Sequence, residues 1–223
     1  MNVFSIFDSI DGEVNSHGQG HLTTFIRLAG CNLHCSYCDT KMAQDPEHAV
    51  TMTPDAILAD IIPRKPYKVT ITGGEPLMQE DELGELVGLL WSEHIFSTIE
   101  TNGSYPIPRW TGCSWVADYK LKGSKVSRKA MDIKHFDALN GTDFIKFVIS
   151  NRADYEEVKD IREKLRKHSC WSKLAFSPIM PGLNPTQLIS WMQKDGLVDV
   201  LLNIQIHKLL DLTEDRQDPN KES

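Results

Sequence analysis

The chain has 223 residues, with 24 Lys plus Arg against 31 Asp plus Glu and a formal net charge of −7. That length suffices to bury a substantial core, and the acidic balance argues against a basic nucleic-acid surface. No apolar run approaches the roughly 20 residues a membrane span needs, and the opening Met1-Asn2-Val3-Phe4-Ser5-Ile6-Phe7-Asp8-Ser9 lacks the basic-then-apolar pattern of a signal peptide.

After the first 20 residues, short apolar runs alternate with helix-like stretches. Strands are expected at 24–28, 67–72, 96–100, 115–119, 144–149, 174–178 and 200–206, each rich in β-branched or aromatic residues and bounded by Gly, Pro, Asn or Asp. Thr53-Pro54 opens a helix with Thr53 as N-cap and Pro54 in the first turn. Leu83, Leu86, Val87 and Leu90 recur at helical spacing, as do Val158, Ile161 and Leu165; Asn184-Pro185 opens the last helix, with Gln187 completing a capping-box pattern. Such alternation predicts an α/β fold, a parallel sheet with crossover helices. Seven strands suit an incomplete, TIM-like barrel, a single domain over residues 1–212, and the polar tail 213–223 reads as mobile.

Five cysteines are present: Cys31, Cys35, Cys38, Cys113 and Cys170. An odd number with three clustered argues against a secreted disulfide framework and for a reducing, cytoplasmic compartment. Cys113 and Cys170 read as packing residues. The other three lie in Cys31-Asn32-Leu33-His34-Cys35-Ser36-Tyr37-Cys38-Asp39-Thr40, spaced C-x3-C-x2-C. Thiolates this close can converge on one soft-metal centre. A structural zinc site closes with four protein ligands, for which His34 is the available fourth; three thiolates alone leave an open position suited to chemistry.

The other polar motifs fall at the ends of expected strands: Gly73-Gly74-Glu75-Pro76, Glu100-Thr101-Asn102-Gly103, Lys120, Ser177-Pro178 and Gln205-Ile206-His207-Lys208. In a parallel α/β fold those ends share one rim, where active sites form. Arg27, near the end of the first expected strand, suits a bidentate pair with a carboxylate.

The cysteine spacing, with the aromatic Tyr37 before the last cysteine, resembles the signature of the radical S-adenosylmethionine (SAM) superfamily. The resemblance implies that Cys31, Cys35 and Cys38 hold a [4Fe–4S] cluster, that SAM chelates its open iron, and that an electron from the cluster cleaves SAM to a 5′-deoxyadenosyl radical. It places Gly73, Gly74 and Glu75 at the SAM amino group, and Tyr37, Glu100, Asn102, Lys120, Ser177 and Pro178 elsewhere around SAM.

Further segments are similar to the 7-carboxy-7-deazaguanine synthase family. They are 6–13 (Ile-Phe-Asp-Ser-Ile-Asp-Gly-Glu), 25–33 (Phe-Ile-Arg-Leu-Ala-Gly-Cys-Asn-Leu), Cys38-Asp39-Thr40 and the Gln205–Lys208 motif. This closer resemblance implies ring contraction of 6-carboxy-5,6,7,8-tetrahydropterin to 7-carboxy-7-deazaguanine with release of ammonia, on the path to queuosine and other 7-deazapurines. It also implies Mg2+ on Thr40 and a pterin site at Ile10, Asp11, Gly12, Glu13, Arg27, Thr72 and His207. It implies a cytoplasmic homodimer served by an electron donor such as flavodoxin, with neither nucleic acid nor membrane as partner. The chain departs from the family pattern at Val14, where Gly usually follows Gly-Glu, and at Asp118-Tyr119-Lys120, which replaces Ser-Pro-Lys. The competing expectations are a radical SAM activase acting on a glycine of a partner protein, and a zinc-binding interaction protein.

Overall fold

The computed structural model describes residues 1–168, 171–210 and 212; Cys170 and the tail 213–223 lie outside the described residues. Nine strands form one sheet. They are β1 (Asn2–Ile10), β2 (Leu22–Leu28), β3 (Val50–Thr51), β4 (Lys68–Gly73), β5 (Phe96–Thr101), β6 (Cys113–Asp118), β7 (Phe144–Ile149), β8 (Lys173–Pro178) and β9 (Val200–Leu202). The order is β3-β1-β2-β4-β5-β6-β7-β8-β9. From β2 to β9 every neighbouring pair is parallel. These seven strands correspond to the seven expected, and the sheet is open, ending at β3 and β9: a partial TIM-like barrel.

The additions lie on the first edge. β1 pairs with β2 antiparallel, and β3 pairs with β1. β1 escapes a sequence reading because its residues are mostly half-buried, with neither clean alternation nor a continuous apolar run. The last strand is shorter than expected, ending at Leu202. Asn203 leaves the ladder because its amide is drawn to the amino-terminal loop, accepting from Val14 N–H at 3.0 Å and donating to Ser177 Oγ at 3.2 Å.

The helices are α1 (Pro54–Ile61), α2 (Glu80–Ser92), α3 (Arg152–Lys167), α4 (Pro185–Lys194) and the single turn α5 (Ile206–Leu209). Thr53 caps α1 by accepting from Ala56 N–H, and acidic residues fill the first turn of α2, where they complement the helix dipole. Asn184 caps α4 through Thr186 N–H, so the cap is a short Asx-type turn and not the expected capping box with Gln187. The helices bury their apolar stripes, among them Ile57, Ile61, Leu83, Leu86, Val158 and Leu188, against Ile26, Ile71, Ile99, Phe147 and Phe176 of the sheet. The connections after β5 and β6 contain no α-helix; 3-10 turns fill the second, between residues 122 and 136. No described helix is long and apolar enough to cross a membrane.

Candidate active site

The carboxyl ends of the parallel strands surround a cavity of about 750 Å³, in the upper part of the range for ligand pockets. The three thiols enter from the loop after β2. Gly30 and Cys31 N–H groups donate to Ala43 and Gln44 carbonyls, and Ser36 N–H donates to Ser124 O, pinning this loop at both ends. Cys31, Cys35 and Cys38 are free, half-buried and all in the cavity wall. Burial raises the Cys31 thiol, opposed by the Leu33 backbone N–H and the Asn102 amide, whose Nδ2 lies 3.7 Å from Sγ. Burial also raises Cys35, with Lys120 opposing. Donors and an ammonium beside the sulfurs suit thiolates, and a metal's own charge would hold them deprotonated.

The Tyr37 hydroxyl in the same wall is buried with no hydrogen-bond partner among the described residues, and desolvation drives its pKa up. An orphaned polar atom in a cavity wall is a place for a ligand group. His34 is exposed, lies outside the wall and sits 3.3 Å from Gln44. A zinc knuckle closed by His34 therefore has no support in this geometry, whereas three thiols beside a large cavity fit a cluster with an open iron.

Of the other expected residues, Ile10, Gly12, Glu13, Arg27, Thr40, Thr72, Gly73, Gly74, Glu100, Asn102, Lys120, Pro178 and His207 also line the cavity. Asp11, Glu75 and Ser177 do not. Asp11 is buried behind the wall in an ion pair with Lys68. Glu75 is fully buried, its carboxylate accepting from Leu77 N–H at 2.9 Å, Thr101 Oγ1 at 2.8 Å and Asn102 N–H at 2.6 Å. It ties the ends of β4 and β5 together from behind the cavity wall. Ser177 Oγ accepts from Asn203. The glycines also have a structural reason: a Cβ on Gly73, at φ +130, would strike the Leu28 backbone, and one on Gly74 would strike Gly30 O. Backbone packing against Leu28 and Gly30 excludes larger residues there.

The rest of the wall mixes aromatic and ionic side chains. Arg27 sits over the Phe7 ring, 5.6 Å from its centroid, and Phe7 stacks on Phe25 at 5.1 Å. Thr72 Oγ1 donates to Glu100 at 2.8 Å. Burial, reinforced by Glu13, pushes Glu100 up to about 7. Glu100 thus stands beside Thr72 and Glu13 in the wall. His207 is lowered by burial, with Glu13 opposing; a Cβ on Gly12 would collide with its ring, so Gly12 makes room for it.

Among the wall residues, Lys146 was not singled out from the sequence, and it joins residues that were. Lys146 pairs with Glu13 and with Asp118, the latter at 3.2 Å. Lys120 pairs with Asp118 and lies 5.9 Å from the Tyr37 ring centroid. Lys208 pairs with Asp39 at 2.6 Å across the mouth. The available signal was a lysine inside the apolar run Phe144-Ile145-Lys146-Phe147-Val148-Ile149, since parallel strands bury both faces.

The family model described as the radical SAM superfamily matches residues 25–194. A 7-carboxy-7-deazaguanine synthase from Clostridium acetobutylicum is 39% identical over 210 residues, covering 92% of this chain and 93% of that protein. One from Methanospirillum hungatei is 33% identical, covering 95% and 86%. Among solved structures, QueE from Escherichia coli superimposes with a TM-score of 0.73 at 21% identity, covering 92% of this chain and 93% of that one. Streptococcus suis SuiB bound to its precursor peptide SuiA gives 0.59 at 14% identity, covering 80% of this chain and 47% of that one. The two solved structures establish the fold alone, and with the sequence matches they agree with the thiol loop and the open parallel sheet: the chain belongs to the radical SAM superfamily and, within it, to the 7-carboxy-7-deazaguanine synthase family.

Proposed function

We propose that the protein converts 6-carboxy-5,6,7,8-tetrahydropterin to 7-carboxy-7-deazaguanine and ammonia. The observation that carries this reading is the 39% identity to a synthase of that name across nine-tenths of both chains. When bound, the cluster and SAM supply a carbon radical able to take a hydrogen atom from the substrate. Substrate and product differ by one ammonia, so the conversion is redox-neutral and the hydrogen can be returned.

The residues of the cavity supply binding and orientation. Arg27 offers a planar two-pronged donor for the substrate carboxylate. Glu13 offers acceptors to the N–H groups of the aminopyrimidinone edge, with Thr72, Glu100 and His207 beside it. The apolar Phe7, Phe25 and Val148 shield the interior from water. Tyr37, Asn102, Lys120, Pro178 and the backbone of Gly73 and Gly74 form the SAM side. Thr40 would hold Mg2+, a hard cation that takes few protein oxygens; its hydroxyl lines the cavity 3.9 Å from Cys38 Sγ. An external electron donor such as flavodoxin, a cytoplasmic location and a homodimer complete the reading.

Anaerobic reconstitution should give a brown protein absorbing broadly near about 400 nm. With SAM, a reductant and the carboxytetrahydropterin, it should release the deazaguanine product in a chromatographic assay. A colourless protein with one zinc, or SAM cleavage without product, would sink the reading. Thr40→Ala should raise the Mg2+ concentration needed for half-maximal turnover several-fold while SAM cleavage stays measurable; an unchanged requirement would count against Thr40 as ligand.

A further inference from the structure

Lys146 projects from the middle of β7, and its side chain is only 8% exposed. A buried ammonium is costly unless carboxylates surround it. Here they come from three other elements: Glu13 from the loop after β1, Asp118 from the end of β6 and, through charge, Glu100 from β5. Asp118 is also held by Lys120, which reaches the Tyr37 ring. A continuous chain of charges, Lys120–Asp118–Lys146–Glu13, therefore runs along the cavity wall from the thiol side to the pterin side.

The Glu13 end of this chain has a defined geometry. One oxygen, Oε2, binds Lys146; the other, Oε1, accepts from Gln205 Nε2 at 2.6 Å. Two carboxylate oxygens have roughly four acceptor positions between them, so each retains capacity. Glu13 lines the cavity, and a carboxylate clamped at both oxygens presents two fixed acceptors side by side. That pattern matches two adjacent N–H donors of a guanine-like edge.

We infer that Lys146 is a positioning residue for specificity: anchored by Asp118, it holds Glu13 oriented as the acceptor for the ligand's aminopyrimidinone edge. The inference rests on the proposed reaction and adds a residue to it. Lys146 acts through Glu13 and exchanges no atom with the substrate.

The test compares wild type, Lys146→Met, Lys146→Arg and Glu13→Gln, with and without Lys146→Met. Three quantities are measured: KM and kcat for the carboxytetrahydropterin, the rate of SAM cleavage without substrate, and calorimetric binding of 7-carboxy-7-deazaguanine to protein kept unreduced. Lys146→Met should raise KM and weaken product binding at least tenfold, with kcat and substrate-free SAM cleavage within about threefold of wild type. Lys146→Arg should recover most of the affinity, and the double variant should be no worse than Glu13→Gln alone. Should Lys146→Met not fold, Lys146→Arg and Glu13→Gln carry the comparison: the first must bind product within about fivefold of wild type and the second at least tenfold more weakly. Wild-type turnover with an unchanged KM in Lys146→Met, or additive losses in the double variant, would overturn the role of Lys146 alone. A wild type that cleaves SAM but neither turns over the pterin nor binds the product overturns the proposed reaction, and this inference with it.

Discussion

Glu75 and Glu100 lie at the carboxyl ends of neighbouring strands, and their surroundings give them different work. Glu75 is spent on three protein donors and braces the rim. Glu100 accepts a hydrogen bond from Thr72 Oγ1 and faces the cavity. Burial and the Glu13 charge raise it from 4.5 to about 7. The folded protein thus binds this proton more tightly than the unfolded chain. The resulting stabilisation is fully present below about 4.5 and is lost as pH rises through about 7. Glu100→Gln removes the group from this balance. Thermal melts between about pH 5 and 8 should show the variant gaining relative to wild type as pH rises; a difference constant across that window would contradict the assignment. Sequence position alone could not separate these two glutamates, because both follow apolar strands and both precede turn residues. The separation comes from which donors the fold brings within reach.

At the scale of elements, the mouth of the cavity is closed by two segments from opposite ends of the chain. The loop after β2 carries Asp39 next to Thr40, and α5 carries Lys208 next to His207; the two charges meet at 2.6 Å. Burial alone would raise Asp39, but Lys208 and Lys146 lower it. With side chains 41% and 48% exposed, the pair adds about 0–1 kcal/mol to stability. Its value lies in registering the Thr40 loop against the His207 turn. Asp39→Ala and Lys208→Ala should each raise the pterin KM several-fold with little change in Tm, and the double variant should show no further loss in steady-state kinetics. Additive effects would mean that the residues act separately. Both motifs are legible in the sequence as unusual polar runs, but the last strand is expected to run on to Ile206, where α5 begins, and α5 itself is not foreseen. One helical turn is too short to show a period, and Asn203, which ends the strand, is identified only by its remote partners.

Across the whole molecule, the amino ends of the strands are sealed by a polar network and not by apolar packing alone. Lys68, fully buried at the start of β4, binds Asp11 and lies 3.2 Å from Thr98 and 3.3 Å from Asn15. Thr70 adds a bond to Asp11 at 3.2 Å. The network fastens the loop after β1 beneath the sheet, and that loop carries Gly12 and Glu13 into the cavity. Lys68→Met would leave the Asp11 carboxylate buried without its counter-charge, at a cost of roughly 3–5 kcal/mol. Urea denaturation should show that loss. Lys68→Met with Asp11→Leu should recover much of it, and equal stability of the single and double variants would refute the network's role.

The sequence by itself determined the thiol loop, the seven parallel strands with their rim of motifs, and the polar composition of the site. Each rests on local information: the spacing of cysteines, the period of apolar residues, and the turn residues that follow strands. Tertiary structure alone decided which polar side chains serve the cavity and which serve the fold. Asp11, Glu75 and Ser177 stand out in the sequence and are bonded to Lys68, to the β5 rim and to Asn203, outside the cavity wall; Lys146 looks ordinary and lines it. A buried charge takes its role from its partners, and here those partners lie far along the chain, so only folding can assign it.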